Sequence, residues 1–168
     1  MFKKIIYWPI VVIIICLIPF FMYYYGFRIN ITASMPKGLY LLTRADHFHD
    51  SDLVAIRLSD DKQKIGLKRG YIKMKSTLLF KRLIASPRDS VVYNNNEITV
   101  NNTYKYKCLI FQKDSEGHKM NPIKAGVYKV SKNEYWVLGE NDGSWDSRYF
   151  GPVKRENIIN KVTKILVF

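Results

Sequence analysis

The sequence predicts a mostly β body behind a single N-terminal transmembrane helix. Two observations carry that expectation. From Ile5 to Phe27 no charged residue occurs, which matches the roughly 20 apolar residues a helix needs to cross the hydrocarbon core of a bilayer. After Tyr40, short alternating or apolar runs separated by turn residues replace helical periodicity. A chain of 168 residues holds one domain with a real hydrophobic core beside such a helix. The expected boundaries are a cytoplasmic tip at 1–4, the span at 5–27 and an extracytoplasmic body at 28–168.

The helix comes first. Lys3 and Lys4 precede the apolar run, and the positive-inside tendency then puts the N-terminus in the cytoplasm, although Arg28 and the basic loops beyond it pull the other way. Tyr7 and Trp8 at one end and Tyr23, Tyr24 and Tyr25 at the other form an interfacial aromatic belt. Pro9 and Pro19 are tolerated in a spanning helix. The competing reading is a cleaved signal peptide, with Ile31-Thr32-Ala33 as the small-residue junction. Signal-peptide apolar cores run about 7–15 residues, so the longer run favours retention.

Beyond Tyr40 the expected strands are 38–42, 52–58, 77–84, 90–93, 97–100, 126–130, 135–138 and 161–167. Asn94-Asn95-Asn96 joins two of them as a hairpin turn, because asparagine tolerates positive φ. Between Asp60 and Lys75 the pattern is basic and poorly periodic. It holds either a short helix begun at the capping residues Ser59 and Asp60 or a surface loop.

The formal charge of +13 attracts nucleic acid, anionic lipid and acidic partners alike. The basic segment 62–75 carries Lys62, Lys64, Lys68, Arg69, Lys73 and Lys75, but Tyr71 is its sole aromatic. Base-stacking surfaces need more, so no nucleic-acid partner is expected, and anionic headgroups or plain solvation account for the charge. Two cysteines, Cys16 and Cys108, are too few for a disulfide framework. If the first run spans a bilayer they cannot meet.

The chemistry centres on Ser34, just past the apolar run, and Lys81, inside the run Leu78-Leu-Phe-Lys-Arg-Leu-Ile84. A serine hydroxyl becomes a nucleophile when a base takes its proton, and a lysine amine is such a base only when neutral. Holding lysine neutral near pH 8 needs a downward shift of about two units from its ordinary ~10.4. Burial among Leu79, Phe80, Leu83, Ile84 and other strands supplies a shift of that kind. The stretch from Gly139 to Pro152 is too rich in turn and polar residues for a core strand.

Three stretches taken together are similar to the successive boxes of type I signal peptidases. They are Thr32-Ala-Ser-Met-Pro-Lys-Gly-Leu-Tyr40, Phe80-Lys-Arg-Leu-Ile-Ala-Ser-Pro-Arg-Asp-Ser-Val91 and Gly139-Glu-Asn-Asp-Gly-Ser-Trp-Asp-Ser-Arg-Tyr-Phe-Gly-Pro152. The first box, preceded by Arg28-Ile-Asn30, most resembles the TraF-type peptidases of conjugative transfer systems. The resemblance implies an antiparallel β-sheet body, Ser34 as nucleophile and Lys81 as general base. It further implies that Thr32 joins the Ser34 N–H in an oxyanion hole, that Ser144 orients the lysine amine, and that Arg82, Asp146 and Arg148 support the site. By position, Ile31, Met35 and Phe80 are candidate walls of the substrate pocket. No cofactor or metal is implied.

The implied setting is the inner membrane of a bacterium, with the body on its periplasmic side. The implied partners are the lipid bilayer and an exported precursor or pilin as substrate, resolved by water or by an amine that cyclises the product. Two features depart from the family pattern: Glu140 where aspartate is usual, and Arg88 where glycine is usual, which argues against positive φ there.

Other readings stand beside this one. His47 and His49 in Asp46-His-Phe-His-Asp50 have ligand-like types, but no third His or Cys is near. A Ser-His-Asp triad through one of them or His118 has nothing in its surroundings to recommend it over Lys81. A general secretory leader peptidase, a non-catalytic membrane-tethered β module and a cytoplasmic self-cleaving repressor are the alternatives at the level of function. The anchor counts against the last. The sequons at Asn30 and Asn101 carry no function.

Overall fold

The computed structural model describes the backbone from Phe2 to Phe168 apart from Asn95, and side chains from Trp8 onward with the same exception. The expected tip at 1–4, Tyr7 of the aromatic belt and the middle of the 94–96 turn therefore lie outside the described side chains. Helix α1 runs Phe2–Tyr24. Its apolar side chains, from Trp8 at 73% exposure to Phe21 at 49%, face away from the body rather than into it. Among the described residues no helix is long and apolar enough to cross a membrane. The helix also stops short of the expected boundary at residue 27, because Gly26 turns the chain at φ 93 and Phe27 opens the first strand.

Among the described residues, eleven strands follow in two antiparallel sheets. The larger contains β1 (Phe27–Asn30), β2 (Gly38–Thr43), β3 (Leu53–Ile56), β4 (Leu79–Ala85), β9 (Glu134–Leu138), β10 (Val153–Lys154) and β11 (Ile158–Val167). Their order across the sheet is β1-β2-β11-β3-β4-β9-β10. The smaller contains β5 (Ser90–Tyr93), β6 (Glu97–Val100), β7 (Tyr104–Lys107) and β8 (Gly126–Lys129), in the order β7-β6-β5-β8. Helix α2 (Asp60–Lys68) follows β3, and the short helix α3 (Ser147–Phe150) follows β9.

Each of the eight expected strands coincides with an observed one, and β1, β7 and β10 are additional. β7 reads Tyr-Lys-Tyr-Lys and is mostly exposed, so no apolar face announced it. Its hairpin partner is β6, reached through Asn101 and Asn102 at φ 52 and 56. Ser59 precedes α2 as expected, but its side chain makes no capping hydrogen bond.

Arg88 corrects the sequence reading: its φ is 78. Pro87 and Arg88 are the central residues of a turn closed by Asp89, whose N–H donates to Ser86 O at 3.1 Å and whose carboxylate accepts from Ser86 N at 2.7 Å. With its side chain in solvent, Arg88 bears a left-handed conformation that costs a non-glycine residue about 1–2 kcal/mol.

Among the described residues, three apolar clusters hold the body together. One joins the smaller sheet to the larger through Trp136, Ile84, Tyr93, Ile98 and Val91. A second packs Val54, Ile56, Leu83, Val137 and Ile158 under Phe48 and Trp145. The third, Met35, Tyr40, Ala55, Phe80 and Val162, lies beneath the loop that carries Ser34.

Candidate active site

The pairing of β1 with β2 closes at Asn30 opposite Gly38, which leaves 31–37 as a hairpin loop. Proline and the small residues Ala33 and Ser34 suit such a turn. Met35, 1% exposed, plugs the loop into the core beneath it. The Tyr40 hydroxyl donates to Pro36 O at 2.6 Å, and the Glu140 N–H donates to Ser34 O at 2.8 Å. Ser34 Oγ lies 3.3 Å from Thr32 Oγ1.

Lys81 sits on β4 opposite Val54 and is 1% exposed. Its Nζ donates to Ser144 Oγ at 2.6 Å. Burial pushes the amine down from 10.5 to about 8; the Asp146 carboxylate opposes that shift and the Arg148 guanidinium reinforces it. A charged amine without a close counter-ion is expensive in such a setting, so the site makes the lysine proton easier to remove than it is in water.

The Gly139–Arg148 turn presents Ser144 to the lysine. Asp146 and Arg148, both buried, form a two-pronged ion pair, Nε to Oδ1 and Nη2 to Oδ2, each at 2.8 Å. Asp146 also accepts from the Gly139 N–H at 2.9 Å, while Arg148 donates to Ser144 O at 3.1 Å and Leu109 O at 2.9 Å. The pair therefore stitches both ends of the turn. Gly139 is required for close approach, since a Cβ there would overlap Ser144 and lie 2.8 Å from Ser34 O. Arg82 bonds to Glu140, whose carboxylate also accepts from Lys164 Nζ at 3.1 Å. Glutamate's extra methylene thus still reaches the arginine beside Lys81.

Ser34, Thr32, Lys81 and Ser144 line one cavity of about 500 Å³. The lysine is hydrogen-bonded to Ser144 and the serine to Thr32; among the described residues Ser34 and Lys81 share no direct hydrogen bond. The other walls are Tyr71, Leu79, Phe111, Met120, Trp145 and Tyr149, with Asp114 at the rim. Tyr71 donates to Asp114 Oδ2 at 2.6 Å, which ties the 109–120 arm to the segment after α2.

The three pocket residues expected by position are placed otherwise. Ile31 is 67% exposed, and Met35 and Phe80 are packed in the core; none lines the cavity. Strand alternation sends Phe80 to the sheet face opposite Lys81, and the walls come instead from Leu79 on β4, from Trp145 and Tyr149 in the third box, and from Tyr71, Phe111 and Met120 in segments whose sequence carries no motif. His47 and His49 flank the buried Phe48 in an exposed loop, and among the described residues no group of three or more His, Cys, Asp or Glu side chains is placed to hold a metal. Cys16 and Cys108 are free thiols, the first exposed and the second buried.

Comparison with known proteins gives a consistent picture. The family model described as signal peptidase, peptidase S26 matches residues 2–167. The chain is similar to an Escherichia coli plasmid transfer protein TraF, 25% identical over 152 residues that cover 87% of this chain and 86% of the relative. It is also similar to a probable conjugal transfer protein TraF from Sinorhizobium fredii strain NBRC 101917 / NGR234, 26% identical over 150 residues covering 85% and 78%. A third similarity is to signal peptidase IB of Staphylococcus aureus strain Mu50 / ATCC 700699, 28% identical over 137 residues covering 68% of each chain.

Proposed function

We propose that this chain, which belongs to the signal peptidase, peptidase S26 family, is a membrane-anchored serine endopeptidase that matures an exported precursor, a conjugative pilin above all. The observation that carries the reading is a lysine amine buried to 1% exposure and pushed to about 8, in one cavity with Ser34. Lys81 takes the Ser34 proton, and Ser34 attacks the scissile carbonyl to form an acyl-enzyme. The Ser34 N–H and the Thr32 hydroxyl hold the oxyanion, a contribution of about 3 kcal/mol per donor in comparable sites. Protonated Lys81 returns the proton to the departing amine. Ser144 keeps the amine pointed at the serine. Asp146 and Arg148 keep Ser144 in place, and Arg82 does the same for Glu140.

Helix α1 is the anchor in this reading. The uncharged run from Ile5 to Phe27 matches the roughly 20 apolar residues that a crossing needs, with its first side chains outside the described ones. The outward-facing Ile, Val and Phe side chains from Trp8 to Phe21 suit lipid better than water. The body then lies on the periplasmic side of a bacterial inner membrane. The conjugative assignment is supported by the two transfer-protein relatives, which this chain matches over most of its length; a general leader peptidase is the alternative.

The test is processing of the pilin precursor and of a general secretory precursor, each co-expressed with wild type, Ser34→Ala and Lys81→Ala. Wild type is expected to trim the pilin precursor alone, and both variants to leave it uncut. Retained cleavage by either variant removes the dyad. Cleavage of the secretory precursor by wild type favours the alternative. A product lighter by one water than the trimmed linear peptide identifies cyclisation.

A further inference from the structure

Asn30, the last residue of β1, is 7% exposed, and its amide is spent entirely on the loop that follows it. Nδ2 lies 3.1 Å from Thr32 O, 3.0 Å from Met35 O and 3.0 Å from Pro36 O. Oδ1 lies 3.2 Å from Thr32 N and 2.7 Å from Thr32 Oγ1. The partners decide which end of the amide is which. Three carbonyl oxygens can only accept, so the nitrogen faces them and the oxygen faces Thr32.

That orientation fixes the direction of the next two hydrogen bonds. An amide oxygen only accepts, so the Thr32 hydroxyl gives its single proton to Asn30. At 3.3 Å from Ser34 Oγ, Thr32 is then the acceptor and Ser34 the donor. One side chain sets the path of the backbone around Ser34 and the direction in which the Ser34 hydroxyl points.

We propose that Asn30 is the positioning residue of the nucleophile: its amide holds 32–36 in one conformation and so fixes Ser34 Oγ in the cavity, while the Asn30–Thr32–Ser34 hydroxyl chain is the resting arrangement, given up when Lys81 takes the Ser34 proton and Thr32 turns to the oxyanion. This rests on Ser34 being the nucleophile. Asn30 touches neither Lys81 nor Ser144 among its hydrogen-bond partners. Its removal therefore leaves the basicity of the amine alone and changes only how firmly the loop holds Ser34 Oγ in the cavity.

The experiment uses the full chain in detergent micelles and a fluorogenic peptide with a small-residue leader junction, with wild type and Ser34→Ala as controls. Asn30→Ala removes the whole amide. Asn30→Asp keeps an acceptor for Thr32 but turns a carboxylate oxygen toward three carbonyls. Each is expected to lower kcat about 10–100-fold, the range in which misplacement of a reacting group is felt. KM should stay within about twofold, and the acid limb of the pH profile should not move. Hydrogen exchange should rise at least about tenfold across 31–37 and stay unchanged in β2 and β11. Wild-type kcat in either Asn30 variant, or unchanged exchange in the loop, overturns the proposal while leaving the peptidase reading intact. Undiminished cleavage by Ser34→Ala overturns the reading on which it rests.

Discussion

Replacing Lys81 with methionine keeps the girth and length of the side chain and deletes its amine, which isolates the cost of burying that group. Displacement from 10.5 to about 8 corresponds to about 3 kcal/mol. The folded-state value lies below the unfolded one, so the amine opposes folding, and the pH dependence follows from which state holds the proton. Below about pH 8 both states are protonated and the folded protein bears the full penalty. Between about 8 and 10.5 the folded protein has released a proton that the unfolded chain still binds, and the penalty shrinks. Above that window it is gone.

Lys81→Met is therefore expected to be more stable than wild type at neutral pH by about 2 kcal/mol, once roughly 1 kcal/mol is taken off for the lost bond to Ser144. The advantage should fall by about 3 kcal/mol as pH rises through the window. Urea unfolding of both full-length proteins in detergent micelles, followed by tryptophan fluorescence in steps from about pH 7 to 10.5, measures the difference. Titrations common to the two proteins cancel in it. A stability difference that stays flat across the window refutes the reasoning, since it means the buried amine is no harder to charge than one in water.

Other substitutions test the frame around the amine. Gly139→Ala forces a Cβ into Ser144 and close to Ser34 O, so peptide cleavage should fall by about 100-fold or more, with a lower melting temperature. Arg148→Met leaves the Asp146 carboxylate buried and unpaired, at about 3–5 kcal/mol in stability. It also removes the cation that helps hold the lysine down, so the acid limb of kcat/KM should move above its wild-type position near pH 8. Tyr71→Phe breaks the tie to Asp114. KM should rise with kcat nearly unchanged, and the Asp114 carboxyl, held at about 2 first by that hydroxyl, should climb toward the ordinary carboxylate range in an NMR titration.

Most of the sheet was legible because alternation of apolar and polar residues marks a strand with one buried face. β7 escaped because both of its faces are largely wet, and β10 because two residues carry no period at all. Arg88 was misread for a physical reason: glycine preference is a matter of about 1–2 kcal/mol, which the hydrogen bonds of one aspartate at 89 offset. Ser34, Lys81, Thr32 and Ser144 were legible by resemblance to known boxes, and the structure brings all four to one cavity. Half of the pocket walls were not, since Tyr71, Phe111 and Met120 come from segments joined only by tertiary contacts, whereas Leu79, Trp145 and Tyr149 lie in or beside the quoted boxes. Asn30 was visible only as a letter in the Arg28-Ile-Asn30 stretch before the first box, and the geometry that gives it five partner atoms is not a property of sequence.

The junction between α1 and β1 has a mechanical consequence. Gly26 N donates to Tyr23 O at 3.1 Å and Leu42 N to Gly26 O at 3.0 Å. The Arg28 guanidinium lies 3.7 Å from the centre of the Tyr23 ring while donating to Tyr23 O at 2.8 Å. Helix and first strand are thus welded, not hinged, and Ser34 stands only four residues past the weld's far end at Asn30. A tilt of α1 would be passed along β1 toward Ser34, so inserting a few glycines at residue 26 would uncouple helix from sheet and let the two move independently.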